Sequence, residues 1–218
     1  MSPAFKTSHT ISRSSLIVAV AAFASLLLVA ACSGDDESIP FDPESSLIAT
    51  LEISSVAFED GSEIPVEFTC DGANTSPPLR WSDVPAGTRS IAIVVDDPDA
   101  PSGIFRHWSV FNIPAATRSL AANQPKTDSL KDSRRQASND FGDIGYGGPC
   151  PPSGQEHEYV FFIYALSAPL ELEGSPTPQD VSAALRGKVV GTGSFSGMYA
   201  RREIICGVTP PSAHLRHT

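Results

Sequence analysis

Two apolar runs abut loops stiffened by proline, and that juxtaposition constrains the fold more than any other feature of the chain. Ser90 to Asp96 (Ser-Ile-Ala-Ile-Val-Val-Asp) runs straight into Asp97-Pro98-Asp99-Ala100-Pro101, and His107-Trp108 follows six residues after Pro101. Gly148-Pro149-Cys150-Pro151-Pro152-Ser153-Gly154 precedes His157-Glu158-Tyr159, which opens the run from Glu158 to Leu166. Proline fixes its backbone before any ligand arrives, so little order remains to be imposed on binding. Short apolar runs bounded by such loops read as strands. The pattern predicts acidic, imidazole and phenolic groups mounted on rigid loops at the rim of a sheet.

Ser90 to Asp96 is apolar at nearly every position, as expected of a central strand buried on both faces. In Glu158 to Leu166, Tyr159, Phe161, Ile163 and Ala165 share one face. His107 to Ile113 reads as a further strand, with His107 and Ser109 on one face and Trp108 and Val110 on the other. Leu47 to Ser54 and Val66 to Thr69 predict the first two strands. Val189 to Tyr199 predicts a last strand, softened by Gly191, Gly193 and Gly197. Thr177-Pro178-Gln179-Asp180 is a helix start, with Thr177 as N-cap, Pro178 at the first position and Asp180 completing a capping-box-like pattern. That helix should run to about Arg186 or Lys188. Arg118 to Tyr146 has few apolar residues and reads as a long surface excursion; Ile204 to Thr218 reads as a tail. There is no internal repeat. With 19 prolines in 218 residues, the expectation is a mainly β, loop-rich fold with one domain-sized core.

The N-terminus predicts export. Leu16 to Ala31 is apolar and follows Lys6 and Arg13. The run is short for a membrane span of about 20 residues and fits a signal-peptide core. It ends at Val29-Ala30-Ala31-Cys32, before Ser33-Gly34-Asp35-Asp36-Glu37. Small residues before a cysteine, then a polar run, resemble a bacterial lipobox, which implies cleavage before Cys32 and acylation of Cys32. The organisation read from these features is a signal peptide over 1–31, an acidic flexible linker over 32–46, a folded domain over 47–201 and a tail over 202–218. The expected location is the bacterial cell envelope, outside the cytoplasm, with the membrane reached through the lipid.

Charge narrows the partners. The chain carries 15 Lys and Arg against 25 Asp and Glu. Removing 1–31 takes away two basic residues and no acid, leaving 13 against 25. Nucleic-acid binding needs basic patches that displace counterions, so it is excluded as a general activity. A pocket for one anion stays compatible, because pocket potential is local. Export also implies an oxidising compartment. Cys70, Cys150 and Cys206 remain after acylation of Cys32, so at most one intramolecular disulfide can form.

The two proline-braced segments resemble the signature segments of the phosphatidylethanolamine-binding protein family, in its bacterial YbhB/YbcL (Raf kinase inhibitor-like) branch. The resemblance extends to Asp71-Gly72-Ala73-Asn74-Thr75-Ser76-Pro77-Pro78-Leu79, Trp81-Ser82-Asp83-Val84-Pro85-Ala86-Gly87-Thr88, Asn139-Asp140-Phe141-Gly142 and Gly145-Tyr146-Gly147-Gly148. It covers roughly residues 50 to 201, in order. It implies an antiparallel β-sandwich with one or two short peripheral helices. It implies a ligand pocket with Asp97 and Asp99 as carboxylates, His107 on the next strand, and Pro151, Pro152, His157 and Tyr159 as the second wall. It implies a Cys70–Cys150 disulfide, since both segments lie near the ligand site in the family fold. Glu158 departs from it, standing where many members carry arginine and putting an acid near the rim.

The chemistry of those residues is consistent with a small anionic ligand such as a phosphate-containing head group. A histidine near carboxylates has its charged form favoured and can donate to a phosphate oxygen. Two rival readings remain: a regulator of a kinase or protease through a protein surface, or a hydrolase built from the same acids and histidines. No Gly-x-Ser-x-Gly elbow and no His-x-x-x-His spacing supports the latter. The expectation is a binder, not an enzyme, with no cofactor and no metal. Bacterial relatives often pair, so a homodimer is compatible.

Overall fold

A computed structural model describes residues 48–201. The signal peptide, Cys32, the linker, Cys206 and the tail lie outside the described residues.

The run Ser90–Asp97 (β5) is buried at every position and lies at the centre of the larger sheet. It is flanked by Glu156–Leu166 (β9) and Phe105–Pro114 (β6), both antiparallel to it. Val189–Ala200 (β10) pairs along β9, and Arg135–Gln136 (β8) closes the far edge against β6. Ala49–Thr50 (β1) and Ser62–Glu63 (β3) each add to β10 in parallel. A small second sheet holds Ile53–Ser54 (β2), Leu79–Trp81 (β4) and Ser119–Leu120 (β7) in the order β2-β4-β7. Among the described residues the fold is therefore mainly β, two sheets with one α-helix, as the sequence predicts.

Strand alternation sorts the core. Tyr159, Phe161, Ile163 and Ala165 share a face of β9 and pack with Leu51, Ile53, Leu79 and Trp81 from the smaller sheet's side. The opposite face of the large sheet meets Pro178–Leu185 (α1), where Val181 and Leu185 pack on Ala92, Phe111 and Leu166. The helix starts as its sequence dictates. Thr177 accepts from the Asp180 amide, and the Asp180 carboxylate accepts from the Thr177 amide. It stops at Leu185, one to three residues early, because Arg186 turns extended (ψ 131°) and Gly187 takes a left-handed φ of 72°.

Three expectations are corrected. Leu47 to Ser54 is not one strand: β1 pairs with β10, and two residues later β2 pairs with β4, so the chain changes sheets. The crossing is close. A Cβ at Gly193 would lie 1.9 Å from the Leu51 carbonyl oxygen, so glycine is required there. Val66 to Thr69 is a 3-10 turn, not a strand, with Thr69 donating its amide to the Val66 carbonyl at 3.0 Å. Arg118 to Tyr146 is a surface excursion only in part: residues 121–135 are exposed or half-buried, but β8 lies in the segment, and Gln136, Ala137, Asn139 and Tyr146 are buried. Its polar residues go inside because they are bonded there. Gln136 accepts from Trp108 Nε1 at 2.7 Å and donates to the Pro125 and Thr127 carbonyls.

Candidate functional site

A β-bulge aims His107. Val95 pairs with Trp108 and Asp96 with Arg106, which leaves His107 as an extra residue in β6. The bulge turns His107 onto the face of Trp108 and Tyr159, towards Asp97. Arg106 and Ser109 occupy the other face, where Arg106 pairs with Asp96 and reaches Ser182 of α1. The strict alternation that put His107 with Ser109 is overturned at this residue.

Asp97, at the end of β5, is a brace. Its Oδ1 accepts from the Asp99 amide at 2.9 Å and its Oδ2 from His157 Nδ1 at 2.8 Å, with both side chains buried. Asp99 Oδ2 accepts from the Glu158 amide at 2.9 Å. The Asp-Pro-Asp loop is thus fastened twice to the start of β9. Glu158 itself lies on the opposite face of β9 from His157 and Tyr159 and does not line the cavity.

The second loop is tied back to the 68–74 segment. Cys70 and Cys150 form a disulfide (Cα–Cα 5.4 Å), the Cys70 amide donates to the Pro149 carbonyl at 3.1 Å, and the Gly148 amide donates to Asn74 Oδ1 at 2.7 Å. A Cβ at Gly148 would lie 2.4 Å from the Phe68 carbonyl oxygen. The third wall is Asn139-Asp140-Phe141. Asn139 Oδ1 accepts from the amides of Phe141 and Asp143 and its Nδ2 donates to Gly145, holding Phe141 edge-on to Phe105 and His107 at 4.7 and 5.2 Å.

Between these walls lies a cavity of about 330 Å³. Asp97, His107, Pro151, Pro152 and His157 line it, together with Phe105, Phe141 and Arg201. Of the residues singled out in the sequence, Asp99 and Tyr159 do not line it. Asp99 braces the loops. Tyr159 sits behind, fully buried, with its ring 5.1 Å from that of His107 and 6.5 Å from that of His157. Phe105, Phe141 and Arg201 are pocket residues that the sequence does not single out. Phe141 lies within Asn139-Asp140-Phe141-Gly142 and Phe105 two residues before His107, whereas nothing in the sequence marks Arg201.

His107 Nδ1 is 2.7 Å from the Gly147 carbonyl oxygen, which can only accept, so Nδ1 carries the proton. Nε2 makes no hydrogen bond among the described residues. Burial pushes the His107 pKa below its ordinary value, and the Gly147 carbonyl and the Asp97 charge only partly oppose it. His107 is therefore a neutral imidazole whose Nε2 accepts. The expected imidazolium donor is not what burial favours. Tyr159 Oη is buried and makes no well-aligned hydrogen bond, with the Cys150 backbone and the Asp97 carboxylate close by, and burial plus the Asp97 charge hold it as a neutral phenol. No group of three or more His, Cys, Asp or Glu able to hold a metal occurs among the described residues.

The family profile described as Phosphatidylethanolamine-binding protein matches residues 54–200. A UPF0098 protein of Methanothermobacter thermautotrophicus is 45% identical over 151 residues, covering 69% of this chain and 99% of that one. A Mycobacterium tuberculosis protein named "Putative lipoprotein LppC" is 36% identical over 198 residues, covering 83% of this chain and 96% of its own. Among solved structures, Escherichia coli YbcL, titled a new member of the mammalian PEBP family, superposes with a TM-score of 0.66 at 33% identity, over 70% of this chain and 99% of that chain. The Chlamydia trachomatis PEBP homologue CT736 gives 0.63 at 34% identity, over 71% and 99%. A bulged histidine, an Asp-Pro-Asp brace and a match of this extent lead to one conclusion: the chain belongs to the phosphatidylethanolamine-binding protein family.

Proposed function

We propose that this is a lipid-anchored, extracytoplasmic binding protein whose cavity takes a small phosphate-bearing anion, and that it binds this ligand without turning it over. The observation that carries the reading is an unspent acceptor on the cavity wall: His107 Nε2, which makes no hydrogen bond among the described residues. A phosphate monoester offers the missing donor, since a protonated oxygen donates to His107 Nε2. The cavity, at about 330 Å³, is of head-group size.

Binding is favoured over hydrolysis because the carboxylates are occupied. Both Asp97 oxygens and Asp99 Oδ2 accept hydrogen bonds inside the protein. The envelope assignment draws on the lipobox-like Val29-Ala30-Ala31-Cys32 and on the lipoprotein name of the mycobacterial relative. No helix among the described residues is long and apolar enough to cross a membrane.

Calorimetry with inorganic phosphate and phosphoethanolamine tests the pocket. Saturable binding lost in His107→Ala supports it, and turnover of phosphoesters lost in the same variant would replace binding with catalysis. Release of Cys32→Ala protein from the membrane fraction tests the anchor.

A further inference from the structure

We propose that Arg201, at the end of β10, is the cation that holds the anion in this cavity; the inference rests on the phosphate-binding reading above. Arg201 lies on the partition between two cavities. One is the 330 Å³ cavity of Asp97 and His107, and the other, of about 580 Å³, is lined by Glu63, Val66, Asp71, Ser153 and Tyr199. Among the described residues, Arg201 is the only lysine or arginine lining either one. The remaining charged groups on these walls are acids, so without Arg201 both cavities repel an anion.

The guanidinium is aimed, not loose. Its Nε and one terminal nitrogen grip Asp71 at 2.9–3.2 Å, and Asp71 is fixed in turn by the Tyr199 hydroxyl at 2.8 Å and by the neighbouring disulfide of Cys70. The other terminal nitrogen donates to no group among the described residues. Its side chain is about a third exposed, so the fork is within reach of a ligand. A planar guanidinium with one edge committed and one free positions an oxyanion by two directed bonds, which a lysine ammonium does not reproduce. Arg201 would therefore set the preference for charged phosphoesters over neutral alcohols of the same shape.

The test is calorimetric titration of the full chain with inorganic phosphate, phosphoethanolamine and ethanolamine. Arg201→Gln should weaken both phosphates about tenfold or more, in line with the loss of one charge-assisted contact. Arg201→Lys should recover part of that loss. The salt dependence of phosphate affinity should flatten in Arg201→Gln, a change that a purely structural role would not produce. If wild type binds phosphate and Arg201→Gln matches it within about twofold, the Arg201 assignment falls alone. If wild type binds none of these anions, both this inference and the phosphate reading fall.

Discussion

His157 Nδ1 donates to Asp97 Oδ2 at 2.8 Å across 60 residues of sequence, with both side chains buried. This contact joins the Asp-Pro-Asp loop to the first residues of β9. It brings the two proline-braced segments into one wall. Asp97 therefore shapes the cavity by holding histidine and loop together, and its two oxygens are spent on that task.

Asp97→Asn keeps the volume and an acceptor for the Asp99 amide but removes the carboxylate facing His157. The expected cost is about 1–3 kcal/mol. Asp99→Asn, which retains an acceptor for the Glu158 amide, should cost clearly less. Urea unfolding of the two variants checks the order.

Tyr159→Phe should separate stability from binding. Removing a buried hydroxyl that makes no well-aligned hydrogen bond should leave the protein as stable as wild type, or more stable by up to about 1–2 kcal/mol. Anion affinity should change little, because Tyr159 does not line the cavity. Thermal unfolding and calorimetry on the same sample read both effects.

Reduction of Cys70–Cys150, or its replacement by serines, should lower stability by up to about 4 kcal/mol in the chain-entropy picture, for a bridge spanning 80 residues. The Cys70 amide to Pro149 and the Gly148 amide to Asn74 still join the two segments in the reduced protein, so the fold should persist. The urea midpoint with and without reductant measures the difference.

His107 gives the stability a pH dependence of defined sign. Its folded pKa is depressed from 6.5, mainly by burial, so the unfolded chain takes up a proton first as pH falls. Stability from this group is complete above 6.5 and declines as pH drops from there towards the folded value. Asp71, held low by the Arg201 guanidinium and the Tyr199 hydroxyl, acts in the same direction but only below 3.8. Urea unfolding at mildly acidic and mildly alkaline pH should show the decline in wild type and a reduced one in His107→Gln.

The parts legible in the sequence were those governed by local pattern. The apolar run of β5, the alternation of β9 and the Thr177–Asp180 cap all appear as read, because periodicity and capping act over a few residues. What escaped depended on distant partners. The bulge at His107 is a mismatch between two strands and leaves no mark on either alone. Gln136 and Asn139 look like surface residues until Trp108, Pro125 and Gly145 supply their bonds. Burial made His107 a neutral acceptor, a result that no neighbour in the sequence foretells. Arg201 belongs to no motif; its place between two cavities follows from where β10 ends.

The most direct measurement is an NMR titration of the His107 imidazole with phosphoethanolamine and inorganic phosphate. The expected result is a saturable shift at His107 Nε2 in wild type and weaker binding in Arg201→Gln. A folded protein whose His107 resonance stays unmoved through millimolar concentrations of both would contradict it.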